Sequence, residues 1–348
     1  MPTVTIQDVK RVAIRTSVAV AAVVIVLGAL LTWAWNTRPE IADTGLRPPV
    51  EVANESPTVT VTWFGVTTLL FDDGETQILI DGFMSRPSLF ETLLGIPVSS
   101  DAPMINFVLN EYRIQRLAAI IPVHSHYDHA MDVGAIANRS SASIIGSETT
   151  ANIARGAGVP EDQIVVVSDA TPYAFGDFTV TLIPSVHAPI GPRGSVPLPG
   201  TVDEPLETPA RITAWRVGGA FSIVVAHPKG TTIVQGSAGY VDGALDQVQA
   251  DVVMLGVGLL ESLGRDYAEG YWQSLVTATG ATRVFPTHFD DYTQPFGEIE
   301  LFPALLDNFV NTATWLQEFR DTWDRDSQLY LPVFGQALTL YPEESPDA

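Results

Sequence analysis

Apolar positions are spread unevenly along this chain, and the unevenness divides it. From Thr16 to Thr37 no residue is charged, and Ser17 to Trp35 is dominated by Ala, Val, Ile and Leu. As a helix that run reaches roughly 30 Å, the thickness of a bilayer's hydrocarbon core. Lys10, Arg11 and Arg15 precede it and Trp33 and Trp35 close it. By the positive-inside rule and the aromatic belt, the N-terminus is expected in the cytoplasm and the remainder outside, periplasmic or extracellular. A cleaved signal peptide is the competing reading, but bulky Leu31, Trp33 and Trp35 stand where a small-x-small cleavage site is wanted, which favours an uncleaved anchor. Residues 38–57 carry Pro39, Pro48, Pro49 and Pro57 without apolar periodicity and read as an extended stalk. The expected organisation is a basic segment 1–15, a transmembrane anchor 16–37, a stalk 38–57 and a folded domain 58–348.

Within the domain the period changes. Thr58 to Trp63 alternates, and Thr67 to Phe71 and Thr76 to Ile80 follow at short spacing around Asp72-Asp73-Gly74, the mark of an antiparallel meander. Residues 83–116 form an insertion with Phe83, Leu89, Phe90, Leu93, Leu94, Ile96, Met104 and Phe107. It reads as one or two helices packed on the core, or as an apolar wall facing a substrate or the membrane. Leu117 to Val123 is a continuous apolar run. Beyond it, helices over 130–138 and 149–157 alternate with strands over 143–145, 164–167 and 178–184, an α/β layer pattern. Residues 188–211, with six prolines and three glycines, form a long irregular loop expected to be a lid or pocket rim. A second meander is read over 214–217, 221–225 and 231–234, with His227 exposed in a hairpin and not a ligand. A buried strand over 251–256, a helix over 267–277, a strand over 283–286, an amphipathic helix over 302–323 and terminal strands over 328–341 complete the domain.

Composition narrows the partners. With 348 residues and 46% hydrophobic content the chain can build one large core. There is no cysteine, so metal ligands must be His and carboxylate. A net charge of −22, with no Lys/Arg cluster after residue 15, argues against nucleic acid.

The chemistry concentrates at His124-Ser125-His126-Tyr127-Asp128-His129, directly after the apolar run. In an extended segment alternate residues point the same way, so His124 and His126 can grip one ion. If a helix starts near Asp128, Asp128 and His129 point elsewhere and can serve a second ion. Imidazole and carboxylate suit zinc, one or two ions, with manganese or iron as alternatives. Asp81, at the end of Ile78-Leu79-Ile80, is either a turn residue or a carboxylate holding the far nitrogen of a ligating histidine.

The His-x-His-x-Asp-His run resembles the signature of the metallo-β-lactamase superfamily. The resemblance implies an αββα sandwich, here preceded by one transmembrane helix, with the metal site at one edge. It also implies His187 as third ligand of the first ion and His288 as the last ligand of the second, and it supports the ligand-holding role for Asp81. Ser237 departs from the pattern: it stands where the superfamily often has an aspartate bridging two metals. A hydroxyl cannot supply that charge, so the second ion should be held more weakly or be helped by Asp242, Asp290 or Asp291. The implied activity is hydrolysis by metal-activated water, with Asp128 also orienting the water or accepting its proton. The chain looks most like exported metallo-hydrolases and, more distantly, the branch that includes N-acylphosphatidylethanolamine phospholipase D. A phosphodiester or ester of a small or lipid-like molecule is therefore the expected substrate. A β-lactamase or lactonase, and a non-catalytic metal-binding protein, are the other readings.

Overall fold

The computed structural model describes residues 6–50, 58–167 and 169–342. Helix α1 (Ile6–Asn36) stands outside the domain, and its stretch Lys10–Trp33 is long and apolar enough to cross a membrane, with none of it buried. The first sheet joins β1 (Thr60–Trp63), β2 (Leu69–Asp72), β3 (Gln77–Ile80), β4 (Leu117–Ile121), β5 (Ser143–Gly146) and β6 (Ile164–Val166). The second joins β7 (Pro172–Phe175), β8 (Phe178–Ser185), β9 (Ala220–His227), β10 (Gly230–Gln235), β11 (Val252–Gly256), β12 (Arg283–Thr287) and β13 (Gln328–Leu329). Strand β14 (Ala337–Thr339) returns to flank β1, so the orders are β14-β1-β2-β3-β4-β5-β6 and β13-β12-β11-β10-β9-β8-β7.

Each sheet opens antiparallel and becomes parallel at β3–β4 and at β10–β11. Alternation decides which side chain faces which layer. Ile78 and Ile80 enter the core between the sheets with Val180, Ile223 and Val234, while Leu79 and Ile120 turn to a second cluster beneath the helices. Those helices are α3 (Ala102–Glu111), α4 (Tyr127–Ala130), α5 (Val133–Ser140) and α6 (Glu148–Gly156), while the short α2 (Leu89–Leu94) ahead of them buries none of its residues. Helices α7 (Arg265–Trp272) and α8 (Phe309–Trp323) pack on each other beside the second sheet, burying Trp272, Leu316 and Phe319. This is the expected αββα sandwich.

Strand direction sends the C-terminal ends of β3, β4, β8, β10, β11 and β12 to one edge, through the parallel pairs β3–β4 and β10–β11–β12 and, for β8, through two antiparallel steps by way of β9. Asp81, His124, His187, Ser237, Gly258 and His288 each follow one of these ends within three residues. The edge is therefore set by topology, and the candidate chemistry sits there as a consequence.

Three elements differ from the sequence reading. Residues 302–308 are not helical, because Asn308 takes the cap, its side chain accepting from Asn311 N at 3.2 Å, and Pro303 lies just upstream. Residues 214–217 are not a strand; a short 3-10 turn, Ile212–Ala214, precedes β9 there. Strand β7 was invisible to periodicity, being a four-residue edge strand paired only with β8.

The stalk reading also needs correcting over residues 38–47. Thr44 and Leu46 are buried, Gln317 Nε2 donates to Thr44 O at 3.1 Å, and Leu331 N donates to Arg47 O at 2.9 Å. Arg38 Nη1 pairs with the fully buried Asp291 at 3.0 Å. Residues 38–47 lie on the domain, Val50 is exposed, and residues 51–57 fall outside the described residues. A domain beginning at Arg38 is therefore expected to be more stable than one beginning at residue 50 by about 3 kcal/mol, since the shorter one leaves a buried carboxylate without its cation. Urea midpoints of the two compare them directly; equal midpoints would show that Arg38 contributes nothing.

Candidate metal centre

The edge brings the candidate ligands together in two groups. Ligand atoms of His124, His126 and His187 lie within 4.8 Å of one another, as do those of Asp128, His129 and His288. The groups adjoin, with the rings of His124 and His129 3.9 Å apart. Chain geometry accounts for the division: after β4 the chain stays extended through His126 (φ −64°, ψ 159°) and then enters α4, which turns Asp128 and His129 to the other side. His288 reaches in through a left-handed backbone (φ 59°), its N–H donating to Val66 O at 2.8 Å.

Hydrogen bonds to fixed acceptors determine which ring nitrogen is left bare. His126 Nε2 lies 3.1 Å from Pro197 O and His187 Nδ1 lies 2.8 Å from Ala188 O; a carbonyl only accepts, so these nitrogens donate. His129 Nδ1 donates to Asp81 Oδ2 at 2.6 Å, while Asp81 Oδ1 accepts from Val123 N at 2.8 Å. That leaves His126 Nδ1, 3.0 Å from His124 Nε2, and the buried His129 Nε2, which has no hydrogen-bond partner. Bare imidazole nitrogens converging beside a carboxylate, out of water, are what a divalent cation requires, so the residues present fit one.

Electrostatics agrees. Burial, with the neighbouring rings adding to it, holds His124 well below the usual imidazole range and His187 at about 3. Both are therefore neutral donors. Burial pulls Asp128 upward, but His129 and His288 outweigh it and hold its carboxyl below the usual range. For His129 burial likewise opposes the charge, and Asp81 and Asp128 outweigh it and raise the pKa. Two carboxylates thus draw positive charge to this ring.

A pocket of about 390 Å³ opens over the centre. His126, Asp128, His187, Ser237 and His288 form its polar floor, and Ile190, Pro197, Leu198, Leu259, Phe302 and Leu306 make its walls apolar. Ser237 Oγ accepts from Ala188 N at 3.3 Å. None of Asp242, Asp290 and Asp291 lines the pocket: Asp242 is exposed, Asp290 accepts from Val66 N and faces Arg86, and Asp291 pairs with Arg38. They therefore do not replace the missing bridge.

A third grouping, Asp73, Asp177 and His227, lies at the opposite edge. The His227 ring is not exposed, as the sequence suggested; it packs on Phe178 with centroids 5.1 Å apart. Its Nδ1 accepts from Lys229 N at 3.1 Å, so in the neutral ring Nε2 keeps the proton and faces Asp73 at 3.6 Å as a donor. His227 remains a non-ligand.

The family model described as the metallo-beta-lactamase superfamily matches residues 61–288. The chain belongs to the metallo-β-lactamase superfamily. Among relatives of this superfamily member, a metal-dependent hydrolase of Pyrobaculum islandicum is 25% identical over 266 residues, covering 75% of this chain and 98% of that protein. Among solved structures, the isothiocyanate hydrolase from Delia radicum gut bacteria matches with a TM-score of 0.50 at 18% identity, over 80% of this chain and 98% of that one. The diiron β-hydroxylase CmlA from Streptomyces venezuelae matches with a TM-score of 0.52 at 11% identity, over 83% and 55%. At these identities the structural likeness is one of fold.

Tyr127, Tyr292 and Asp307 line the pocket without having been singled out in the sequence. Tyr127 lies within the histidine run but is not of a metal-ligating type, and nothing local marks Tyr292 and Asp307, which later segments of the chain supply. Asp307 is buried; its Oδ2 accepts from Leu259 N at 2.9 Å, and its Oδ1 has no partner. Burial pushes its carboxyl up to about 6. A carboxyl raised on folding stabilises the folded state below its unfolded value near 3.8, and that contribution is lost as pH rises to about 6. Asp307→Asn keeps an acceptor for Leu259 N without the charge. It is therefore expected to be more stable than the parent above about pH 6, by about 1–3 kcal/mol, with the gain vanishing towards pH 4. Melting temperatures across that range check the sign; a gain independent of pH would mean that the carboxylate's charge is not the cause.

Proposed function

We propose that this protein is a metal-dependent hydrolase acting on a phosphodiester or ester with an apolar portion, anchored by α1 with its catalytic domain outside the cytoplasm. The observation that carries the proposal is two adjoining donor groups at a pocket whose walls are mainly apolar, with Tyr127, Tyr292 and Asp307 as the other polar side chains lining it. His124, His126 and His187 would hold the first cation and Asp128, His129 and His288 the second, with zinc the first choice for the nitrogen-rich group. A cation bound there supplies Lewis acidity and lowers the pKa of water towards neutrality.

The chain's own groups do the rest. Asp128, held below the usual carboxylate range, keeps its charge and is placed to orient a water at the floor. Burial raises the phenols of Tyr127 and Tyr292, so both stay protonated; Tyr127 donates to Tyr292, which leaves the Tyr292 O–H as a donor to negative charge developing on a substrate oxygen. Asp81 keeps the His129 ring in one tautomer. The walls exclude water around the scissile group and favour an acyl or alkyl substituent. Turnover of a bis-aryl phosphodiester, an aryl ester and a lactone with added zinc or manganese tests the reading, and hydrolysis of the lactone alone would redirect it.

Two outcomes are expected. His126→Ala should abolish turnover and most of the metal content, read by elemental analysis; full occupancy in that variant would mean that the first group is misassigned. Ser237, which lines the pocket beside both donor groups, carries no charge that would offset the repulsion of two cations held there. One ion should therefore survive dialysis and one be lost, and Ser237→Asp should tighten the weaker one about tenfold or more. Two equally chelator-resistant ions in the parent protein would overturn this.

A further inference from the structure

We infer that the mouth of the pocket is held against the surface of the bilayer by a docking face of this chain, so that an amphiphilic substrate reaches the metal centre without leaving the membrane. The inference rests on the preceding reading of α1 as an anchor and of the pocket as a hydrolytic site.

The joint is the dipeptide Asp290-Asp291, two and three residues beyond His288. Arg38, two residues past the end of α1, donates to Asp291 Oδ2 at 3.0 Å, to Glu300 Oε2 at 2.6 Å and to Leu301 O at 3.3 Å. Its guanidinium also stacks over Trp35, 4.6 Å from the ring centroid. The carboxylate it meets is fully buried, so the end of the apolar helix is fixed to the domain where the pocket wall begins. Two residues of chain and one arginine side chain separate Asn36 from Leu301, and Phe302 of the wall follows at once. The helix end therefore lies within about 20 Å of the pocket.

Asp290 fixes a second apolar element. Its Oδ2 lies 3.7 Å from Arg86 Nη1, and Arg86 Nη2 donates to Phe64 O at 2.7 Å. Two residues later Ser88 caps α2, a helix with no buried residue at all. Phe90, Leu93 and Leu94 share one face of it at i, i+3 and i+4, exposed by 66%, 74% and 61%. The helix is closed at both ends, by the Ser88–Glu91 capping box and by Gly95, so its apolar face is presented by a formed element. A third element is the irregular segment after Leu301: Leu306 lines the pocket and is 52% exposed, and Leu305 beside it is 76% exposed.

Anchor, α2 and the 302–306 segment thus radiate from two adjacent aspartates next to a metal-ligand candidate. A lipid surface explains their common origin, because the anchor brings that surface to this place and to no other. With a net charge of −22 the chain has no electrostatic reason to prefer anionic lipid, so docking should be driven by apolar area on zwitterionic membranes.

The chain has no cysteine, so a single introduced one can be labelled cleanly. In the full-length protein reconstituted in phosphatidylcholine vesicles with brominated acyl chains, a fluorophore at Leu94→Cys or Leu305→Cys should be quenched several-fold more than one at Asp177→Cys on the opposite edge. Quenching no greater than at position 177 overturns the inference. Leu93→Asp with Leu94→Asp alters exposed positions only. The pair should lower kcat/KM on a vesicle-embedded ester about tenfold while leaving a short soluble ester within about twofold; equal loss on both substrates also overturns it. Quenching does not depend on turnover, so inactivity on every substrate would remove the hydrolytic reading and leave the docking measurement standing.

Discussion

Keeping five imidazoles and two carboxylates side by side and out of water is the constraint on which the rest of this structure depends. Left to themselves the rings would be costly to desolvate, and each could present either nitrogen. Acceptors that cannot donate resolve this for three of them: the Asp81 carboxylate, the Ala188 carbonyl and the Pro197 carbonyl. Asp81 is central, because its other oxygen holds Val123 N at the head of the histidine run. One carboxylate at the end of β3 thereby fixes both where that run begins and how its last histidine faces. The parallel pairing that brings β3 and β4 to a common edge makes the bond possible.

Much of this was legible in the chain because it is local. The apolar run before His124, the alternate spacing of His124 and His126, and the strand ends before Asp81, His187 and His288 are all encoded within a few residues. A two-residue repeat and a switch to helix are things periodicity records. Ser237 could likewise be seen as a departure, since its place in Gln235-Gly236-Ser237 after a strand is also local.

What escaped was assembled from distant segments. Tyr127, Tyr292 and Asp307 meet only because α4, the turn after β12 and the segment before α8 close over one edge. Proline spacing suggested a stalk for residues 38–50, and a long-range ion pair outweighed it: nothing near Arg38 in sequence announces Asp291, 253 residues on. The same holds for Asp290 and Asp291, which looked like spare ligands and serve instead as counter-ions for two arginines. Composition shows which charges exist, and only topology shows which of them are already partnered.

The proline-rich loop over residues 188–211 reaches the centre through the Pro197 carbonyl, which takes the proton of His126 Nε2 and so settles which nitrogen that ring can offer a cation. The loop that lines the pocket through Ile190, Pro197 and Leu198 is thus also the one that fixes the His126 ring. Under the proposed assignment of His126, exchanging it for the loop of another superfamily member, as an engineer would do to change what the pocket accepts, would also replace the group that sets the tautomer of that ring, so that specificity and cation affinity would change together.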